Sequence, residues 1–159
     1  MATDYKKPVP RPSVNPEVSA PFWAGTKKHE LWLQYSKGSQ KFFFPPREVS
    51  PGDLTPMEEL VWTQVSGKGR IYSYTTIYQP AIAAFAEEAP YVHALIQLDE
   101  GARMVGNIVD MTEDEVRNNS LQINTRVEAV FEDVVLSHRE IERFHDLRTM
   151  VIDDQHTSL

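Results

Sequence analysis

Side chains capable of acid–base or metal chemistry are scattered along this sequence, and their spacing matches no established site. His138 and His145 enclose two glutamates, but a solvated charged segment is the better interpretation of that pattern. His93 lies within a strand pattern, where a hydrogen-bonded structural role is the better interpretation. No Gly-x-Ser-x-Gly elbow is present, and the absence of cysteine excludes a cysteine nucleophile and thiolate zinc ligands. The sequence therefore predicts no catalytic residue.

Two short charged segments are explained by local structure. Gly67-Lys68-Gly69-Arg70 is a basic glycine turn without the spacing of a phosphate loop, so a β-turn accounts for it. The acidic cluster at 113–115 follows Thr112, and Glu115 stands three residues after that threonine. This is the pattern of a capping box, so capping and the helix dipole explain the cluster.

Composition restricts the class of protein. A length of 159 residues suffices for one domain with a core, and 41% hydrophobic and 25% charged residues are ordinary for a globular chain. No run approaches the roughly 20 apolar residues of a membrane helix, so no membrane partner is expected. No apolar segment follows the first residues, so no signal peptide is expected either. The net charge of −7 argues against nucleic acid as a partner, and the lack of cysteine fits a reducing cytoplasm.

The first part of the chain divides into an arm and a small subdomain. Residues 1–19 are rich in proline and predict an extended arm, for which a partner-binding role and a solvated tail both remain open. Residues 20–58 predict a helix over 20–29, with Pro21 where its first turn could start. Two short strands that form a hairpin-like unit follow, at 31–35 and 41–44.

Residues 59–137 have the pattern of a β-barrel. Five strands and one late, short helix are predicted, with the strands at 59–65, 70–78, 91–98, 103–110 and 126–136. This favours a mainly β fold, a five-stranded Greek-key barrel of the OB type, because an immunoglobulin-like sandwich would need more strands. The segment 138–159 is a tail in which a helical stripe and a last extended segment both fit, judged by Ile141, Phe144, Leu147 and Val151.

Three groups of residues, in this order, resemble one known family. They are Pro21-Phe22-Trp23-Ala24-Gly25 with Leu31-Trp32-Leu33-Gln34 and Phe44-Pro45-Pro46-Arg47, then 66–74, then 90–101 with Val105-Gly106-Asn107. From about residue 20 to about residue 136 the chain is similar to the family called domain of unknown function thirty-five. That resemblance implies an N-terminal helix with a rubredoxin-like zinc ribbon, followed by an OB-fold. It also implies a partner, because members accompany thiolases, condensing enzymes or thiolase-like aldolases that act on acyl-CoA or ketide substrates.

The sequence departs from the family at the zinc ligands. Two pairs of cysteines are expected in the ribbon, and the matching positions here hold Ser36 and Ser39, then Ser50 and Asp53. Three hydroxyls and one carboxylate do not make a closed tetrahedral zinc site, because zinc prefers thiolate or imidazole ligands. We therefore expect no zinc and no other cofactor, and a degenerate ribbon that is held together by other means.

Aromatic side chains are dense in this subdomain. Successive side chains on a strand face opposite sides, so at least one of Phe42, Phe43 and Phe44 should be exposed or buried against something else. The hypothesis is that an exposed apolar surface forms part of a partner interface, whereas the alternative is that the N-terminal helix covers it. The interface candidates are Phe22, Trp23, Trp32, Phe42, Phe43 and Phe44.

These interpretations predict a non-catalytic accessory subunit of a thiolase-like complex in a hetero-oligomer. Catalysis and the coenzyme A thioester would belong to the complex, with Lys68 and Arg70 as candidates for contact with a CoA phosphate. One alternative is a stand-alone acyl-CoA-binding protein or hydrolase, for which the sequence offers no assembled catalytic set. Another is a single-strand nucleic-acid binder, a common role of OB-folds that the net charge of −7 opposes.

Overall fold

The computed structural model describes residues 2–3, 16–135 and 143–151, with side chains from 17 to 132. Two sheets share one core, and a helix precedes them. The first sheet belongs to the N-terminal subdomain (residues 16–65) and the second forms the barrel (residues 68–151). Short 3-10 turns lie at Met57–Glu59 and Ala83–Phe85. The elements are β1 (Ala2–Thr3), α1 (Pro16–Thr26), β2 (Leu31–Ser36), β3 (Lys41–Phe43), β4 (Val61–Val65), β5 (Lys68–Ile77), β6 (Tyr91–Leu98), β7 (Arg103–Ile108), α2 (Glu113–Arg117), β8 (Arg126–Val135) and β9 (Arg143–Val151).

Helix α1 begins four residues earlier than the sequence predicts, at Pro16, so the predicted arm over 1–19 extends too far. Proline fits the first helical turn, where no intrahelical partner is needed for its missing N–H. Pro21, expected at the start, lies inside the helix with its ring exposed. The remaining arm residues, apart from Ala2 and Thr3, lie outside the described part of the chain.

The sheet of the N-terminal subdomain has the strand order β3-β2-β4, and both pairings are antiparallel. The β2–β3 hairpin confirms the two short strands of the sequence prediction. Strand β4 also forms, but it pairs with β2 and not with the strands of the barrel. The predicted first barrel strand, 59–65, is therefore the third strand of this sheet. The chain passes between the two sheets at Ser66 and Gly67.

The second sheet closes on itself. Strands β5, β6 and β7 pair antiparallel in sequence order, β7 pairs parallel with β9, β9 pairs antiparallel with β8, and β8 returns to β5. Helix α2 stands between β7 and β8. Closure removes the free edges that an open sheet would expose. The predicted five-stranded barrel is confirmed, with a mainly β architecture.

One barrel strand comes from the segment assigned to the tail. Residues 143–151 form β9, which pairs with β8 over nine register positions from Val127–Val151 to Val135–Arg143. The helical alternative for this segment is therefore wrong, and the extended alternative is correct for 143–151. The helix-like spacing of a few apolar residues did not decide between helix and strand. The strand is formed because its backbone pairs with β8 and β7, and such long-range pairing is not visible in local spacing. Ile141 lies outside the described residues.

Strand β6 shows most clearly how sequence pattern fixes the barrel. Its side chains alternate between half-buried and buried along all eight residues. Ile71 of β5 and Ala94 of β6 are fully shielded from solvent, at 0% exposure each. The same core continues into the N-terminal subdomain through Phe22, Leu31 and Leu33. The two sheets are thus joined by one apolar core and not only by the chain.

The capping box of α2 is present as predicted. The Thr112 hydroxyl accepts from the Glu115 backbone N–H, and the Glu115 carboxylate accepts from the Thr112 backbone N–H at 2.8 Å. The Thr112 hydroxyl also donates to Glu115 Oε2 at 2.7 Å, and this bond, followed by that of the Thr112 backbone N–H, lowers the pKa of the Glu115 carboxyl group. Local capping therefore explains the acidic cluster.

Candidate functional site

Three of the four residues assigned to the zinc-ligand positions, Ser36, Ser50 and Asp53, meet Thr55 around the Asp53 carboxylate. We name Ser36, Ser50, Asp53 and Thr55 the polar hub. The Ser36 hydroxyl donates to Asp53 Oδ2 at 2.7 Å, and the Ser36 and Thr55 hydroxyl oxygens lie 3.2 Å apart. Ser39 contributes through its backbone, whose N–H donates to Ser36 Oγ at 3.3 Å. The predicted positions therefore form one cluster, joined by hydrogen bonds.

The chain is shaped to bring Asp53 into this position. Ser36 ends β2, while Ser50 opens the loop that carries Asp53, so the hub joins two segments distant in sequence. Gly38 has no side chain, and a Cβ at this position would collide with the Asp53 carboxylate. Within the loop, the Thr55 N–H donates to Asp53 Oδ1 at 3.3 Å and the Gly52 N–H donates to Ser50 Oγ at 3.4 Å.

Electrostatics favour the charged form of Asp53. Hydrogen bonds from Ser50, then Ser36, hold the pKa of its carboxyl group well below the usual range of an aspartic acid. The two serine side chains are buried, at 0% and 1% exposure, whereas Asp53 reaches solvent. A hydrated carboxylate can accept several bonds without the desolvation cost of a buried ion. The hub is thus a hydrogen-bonded cross-link at the place where the sequence resemblance implies a metal.

Metal ligation finds no further support in the described part of the chain. Within it, no group of three or more histidine, aspartate or glutamate side chains is placed to hold a metal ion. The hub itself offers three hydroxyls and a single carboxylate, with Thr55 in the place of Ser39. Such a donor set is as unsuitable for zinc as the one assigned from the sequence. Chemically, the arrangement serves as a structural clamp.

The six aromatic interface candidates surround the contact between α1 and the first sheet. Phe22 and Phe43 are buried, and Phe44 packs on Phe22 with ring centroids 5.3 Å apart. Phe42 packs on Tyr35 at 4.8 Å, and Trp23 meets Phe22 edge to face at 4.8 Å. Phe44 follows the end of β3, so strand alternation does not apply to it, and the helix covers part of this surface.

Trp32 completes this set. Its indole N–H donates to the Glu30 carboxylate at 2.9 Å, and its ring lies against Gly25 at the end of α1, where a Cβ would collide with it. All six candidates are buried or half-buried. This burial is what the alternative, coverage by the N-terminal helix, leads one to expect, while a partner role for the half-buried rings stays a prediction.

The two candidates for CoA contact lie near the start of β5. Lys68 and Arg70 are exposed. The positive charges of both side chains lower the pKa of the Asp99 carboxyl group in the β6–β7 turn. Arg126 binds Asp99 through two bonds of 2.7 and 2.8 Å, and this contact lowers the pKa of the Asp99 carboxyl group more than the two candidates do. The site is a mixed charged surface, and contact with coenzyme A stays a prediction.

His93 has the structural role that its strand pattern indicated. Its Nδ1 lies 2.7 Å from Asn107 Oδ1, its direct partner on β7. His29 stacks on Phe131 at 5.5 Å, joining the end of α1 to β8. His138 lies outside the described residues, as does the side chain of His145. The described hydrogen bond of the barrel histidine thus joins His93 to an amide on the neighbouring strand.

Sequence reasoning missed one feature of the outer surface. The Arg103 guanidinium lies over the Tyr72 ring, 3.7 Å from its centroid, although the residues belong to strands separated by β6. A bulge in β5 between Ile71 and Ser73 places Tyr72 there. The run of alternating residues from 70 to 78 gave no sign of this extra residue, because a bulge leaves no simple pattern.

The architecture defines the class of protein: a closed five-stranded OB-type barrel with a helix between its third and fourth strands, preceded by a small β subdomain. Residues 62–132 match the model of the family described as ChsH2, C-terminal OB-fold domain. The resemblance identified from the sequence is thereby confirmed.

Two relatives illustrate the similarity. A DUF35 domain-containing scaffold protein of Methanocaldococcus jannaschii is 42% identical over 91 residues, which cover 56% of this chain and 58% of the relative. The 3-oxo-4,17-pregnadiene-20-carboxyl-CoA hydratase alpha subunit of Mycobacterium tuberculosis is 32% identical over 98 residues, which cover 62% of this chain and 30% of the subunit. The chain thus spans less than two thirds of the length of either relative.

A solved structure, described as Ltp2-ChsH2(DUF35) aldolase, has the same fold. It superposes with a TM-score of 0.68 at 24% sequence identity, covering 89% of this chain and 98% of that one. In the described part of the present chain, no helix is long and apolar enough to cross a membrane.

Proposed function

We propose that this chain is a non-catalytic accessory subunit that joins an enzyme acting on acyl-CoA substrates. The observation that carries the proposal is the family match of residues 62–132, together with relatives named as a scaffold protein and as a hydratase alpha subunit. Both names describe proteins that work with others. The barrel would serve as the binding module, and the N-terminal subdomain as a second contact region.

Local chemistry supports an accessory role over catalysis. In the polar hub, the Ser36 and Thr55 hydroxyls and the Asp53 carboxylate are engaged with one another. The half-buried His93 of the barrel is hydrogen-bonded to the side-chain amide of Asn107 and not to an acid. Without a general base or an activated nucleophile, acyl transfer would have to be performed by the partner.

The partner class is the finer part of the proposal. We assign a thiolase-like condensing enzyme or aldolase to this role, in agreement with the sequence resemblance, and a hydratase is the class that the relatives' names add. The half-buried aromatic rings around α1 and the proline-rich arm would contribute to the interface. Lys68 and Arg70 would lie within reach of a CoA phosphate at the level of the complex. A reducing cytoplasm fits the cysteine-free chain.

The test is purification of the full chain, tagged at its C-terminus, from its native cells at low salt. The expected result is a stoichiometric complex, seen by light scattering on a sizing column, whose second protein is an acyl-CoA enzyme by mass spectrometry. Acyl-CoA turnover should appear in the complex and be absent from the chain purified alone.

Two results would contradict the proposal. The first is a monomeric chain with no companion under these conditions. The second is hydrolysis or binding of acetyl-CoA and longer acyl-CoA thioesters by the isolated chain at the level of the complex, which would favour a stand-alone acyl-CoA protein. An electrophoretic shift of single-stranded DNA or RNA at low salt would instead favour nucleic-acid binding.

A further inference from the structure

The outward face of β5, β6 and β7 is organised in bands that the proposed function does not yet use. Directly paired residues on neighbouring antiparallel strands point to the same face, so the register identifies each band. One band crosses four strands as Arg126, Arg70, Gln97 and Arg103. In a chain with a net charge of −7, this is a concentration of positive charge.

This cationic band is unfavourable for the isolated fold. Arg126 and Arg70 are direct cross-strand partners, and like charges in that position are destabilising. Asp99 neutralises Arg126 through two hydrogen bonds of 2.7 and 2.8 Å. Neither Arg70 nor Arg103 has a carboxylate hydrogen-bonded to it among the described residues, so these two cations remain available.

Arg103 is held in a fixed position without losing its charge. Its Nε donates to Gln97 Oε1 at 2.7 Å, and its guanidinium stacks on Tyr72. Both contacts are to neutral groups. A guanidinium that is already oriented loses less side-chain entropy when it binds a carboxylate than a free one does. Arg103 is therefore prepared for a charged partner.

The neighbouring band is apolar. Leu95 of β6 pairs with Val105 of β7 and with Ser73 of β5, and Tyr72 precedes that serine at the bulge of β5. Tyr72 is 48% exposed and Val105 is 51% exposed, while Leu95 is half-buried. An apolar strip next to oriented arginine and tyrosine side chains has the composition of the central part of a protein interface.

A small anion fits this face less well than a protein does. Arg70 and Arg103 lie on strands two apart, roughly 10 Å, with Gln97 between them. The Gln97 amide is already bonded to the Gly101 carbonyl and to Arg103, at 2.7 Å each. A phosphate needs donors that converge within hydrogen-bond distance, whereas carboxylates on a protein surface can be spaced to match.

We infer that this outer face, centred on Arg70, Tyr72, Arg103 and Val105, docks a protein surface that presents aspartate or glutamate side chains beside an apolar patch. The inference rests on the proposed function, because it identifies where the partner subunit binds and by what chemistry. Charge complementarity selects an acidic surface as the occupant, and the apolar band supplies the buried area.

The experiment uses the full chain and the partner enzyme identified by co-purification, mixed as purified proteins. Dissociation constants are measured by isothermal titration at 50 and 300 mM NaCl for Arg70→Gln, Arg103→Gln, their double variant and Val105→Asp. Arg117→Gln and Ile123→Asp are the matched controls, since Arg117 is exposed on α2, outside both proposed contact regions, and Ile123, like Val105, is 51% exposed. Circular dichroism melts verify folding of each variant.

The expected result is an affinity loss of about tenfold for each arginine variant at 50 mM NaCl, about a hundredfold for the double variant, and at least tenfold for Val105→Asp. The controls should bind within about twofold of the unmodified chain. The arginine effects should shrink at 300 mM NaCl, because salt screens exposed charges.

Several results would overturn the inference. If the complex forms and the two arginine variants bind as tightly as Arg117→Gln, the proposed function stays intact but the interface lies elsewhere. Saturable binding of coenzyme A to the isolated chain, lost in Arg70→Gln, would assign the face to a phosphate. Self-association of the isolated chain, abolished by the same variants, would assign it to a second copy. Failure to recover any partner would remove the proposed function and this inference together.

Discussion

The barrel closes through backbone hydrogen bonds between strands. In the N-terminal subdomain, by contrast, the end of β2 and the loop that carries Asp53 are joined by side-chain hydrogen bonds around a single carboxylate. In the barrel, β8 and β9 pair over nine register positions, and every neighbouring pair adds to the closure. In the N-terminal subdomain, two segments meet at Asp53 through three hydroxyl-bearing residues. A cross-link of this kind is weaker than a zinc ion with four thiolates, because each net hydrogen bond contributes only about 1 kcal/mol.

The difference suggests how this subdomain can hold its fold if, as we predict, it binds no metal. The chain still brings the four ligand positions together, and one core runs from Phe22 and Leu33 into the barrel. Burial against the barrel can therefore supply stability that an isolated ribbon would take from its metal. The barrel supports the subdomain, and the hub fixes the local geometry of its loops.

The largest effect should come from opening the barrel. Deletion of residues 138–159 removes β9 and leaves the edges of β7 and β8 without partners. We expect the truncated chain to lose its cooperative thermal transition and to aggregate, as measured by circular dichroism and light scattering. Deletion of residues 1–15 is the control, because β1, the strand described in that segment, pairs with β8 at just two positions. A truncated chain that melts like the full one would show that closure contributes little.

A moderate effect should follow from weakening the hub. Ser36→Ala removes the buried hydroxyl that donates to Asp53, and we expect a loss of about 1–2 kcal/mol in the free energy of unfolding, measured with urea. Ser39→Ala should cost less than about 0.5 kcal/mol, since only the backbone of Ser39 bonds to the hub. Equal costs for the two variants would mean that the hydroxyl bonds to Asp53 are not what stabilises the subdomain.

Acid should weaken the N-terminal subdomain through Asp53. The pKa of this carboxyl group is lower in the folded state than in the unfolded chain, so its stabilisation is complete above the unfolded value of about 4. It is lost as the pH falls below that value toward the folded pKa. We expect urea midpoints to decrease between about pH 5 and pH 2, and to decrease less in Asp53→Asn. The pKa values of Asp99 and Glu115 are also lowered, so these two groups contribute the same pH dependence to both proteins. Identical pH profiles for the two proteins would therefore rule out the linkage through Asp53.

The smallest expected effect is that of a chelator. We predict that EDTA leaves the melting temperature unchanged and that the purified chain contains no stoichiometric zinc by elemental analysis. The variant with cysteine at positions 36, 39, 50 and 53 should bind one zinc ion and become sensitive to EDTA, because the backbone already gathers these positions. Stoichiometric zinc in the unmodified chain would contradict the account of the hub.

Sequence pattern predicted most of this fold, and its errors have a common cause. The burial of residues 91–98 alternates strictly, and β6 has the predicted bounds. The predicted count of five barrel strands was correct although two memberships were wrong. Strand β4 pairs with β2, and β9 comes from the C-terminal segment. Pairing partners are set by long-range contacts that local periodicity does not contain.

The candidate sites show the same limit. Alignment on the resembling family assigned four residues to the implied ligand positions, but it did not predict that Thr55 would join three of them or that they would hydrogen-bond to one another. The cationic band was missed almost entirely, because Arg70, Arg103 and Arg126 are neighbours only through strand register. A single sequence shows the charge of each residue but not which strands lie side by side.

The most direct test of the accessory role is reconstitution of activity from separately purified proteins. The partner enzyme is assayed for acyl-CoA turnover alone, with this chain, and with the Arg70→Gln, Arg103→Gln double variant, and the chain is assayed by itself. The account predicts that the chain alone turns over no acyl-CoA and that adding it raises the activity or the stability of the partner, with the double variant needing a higher concentration for the same effect. Turnover by the chain alone, or a partner indifferent to its presence, would contradict the account.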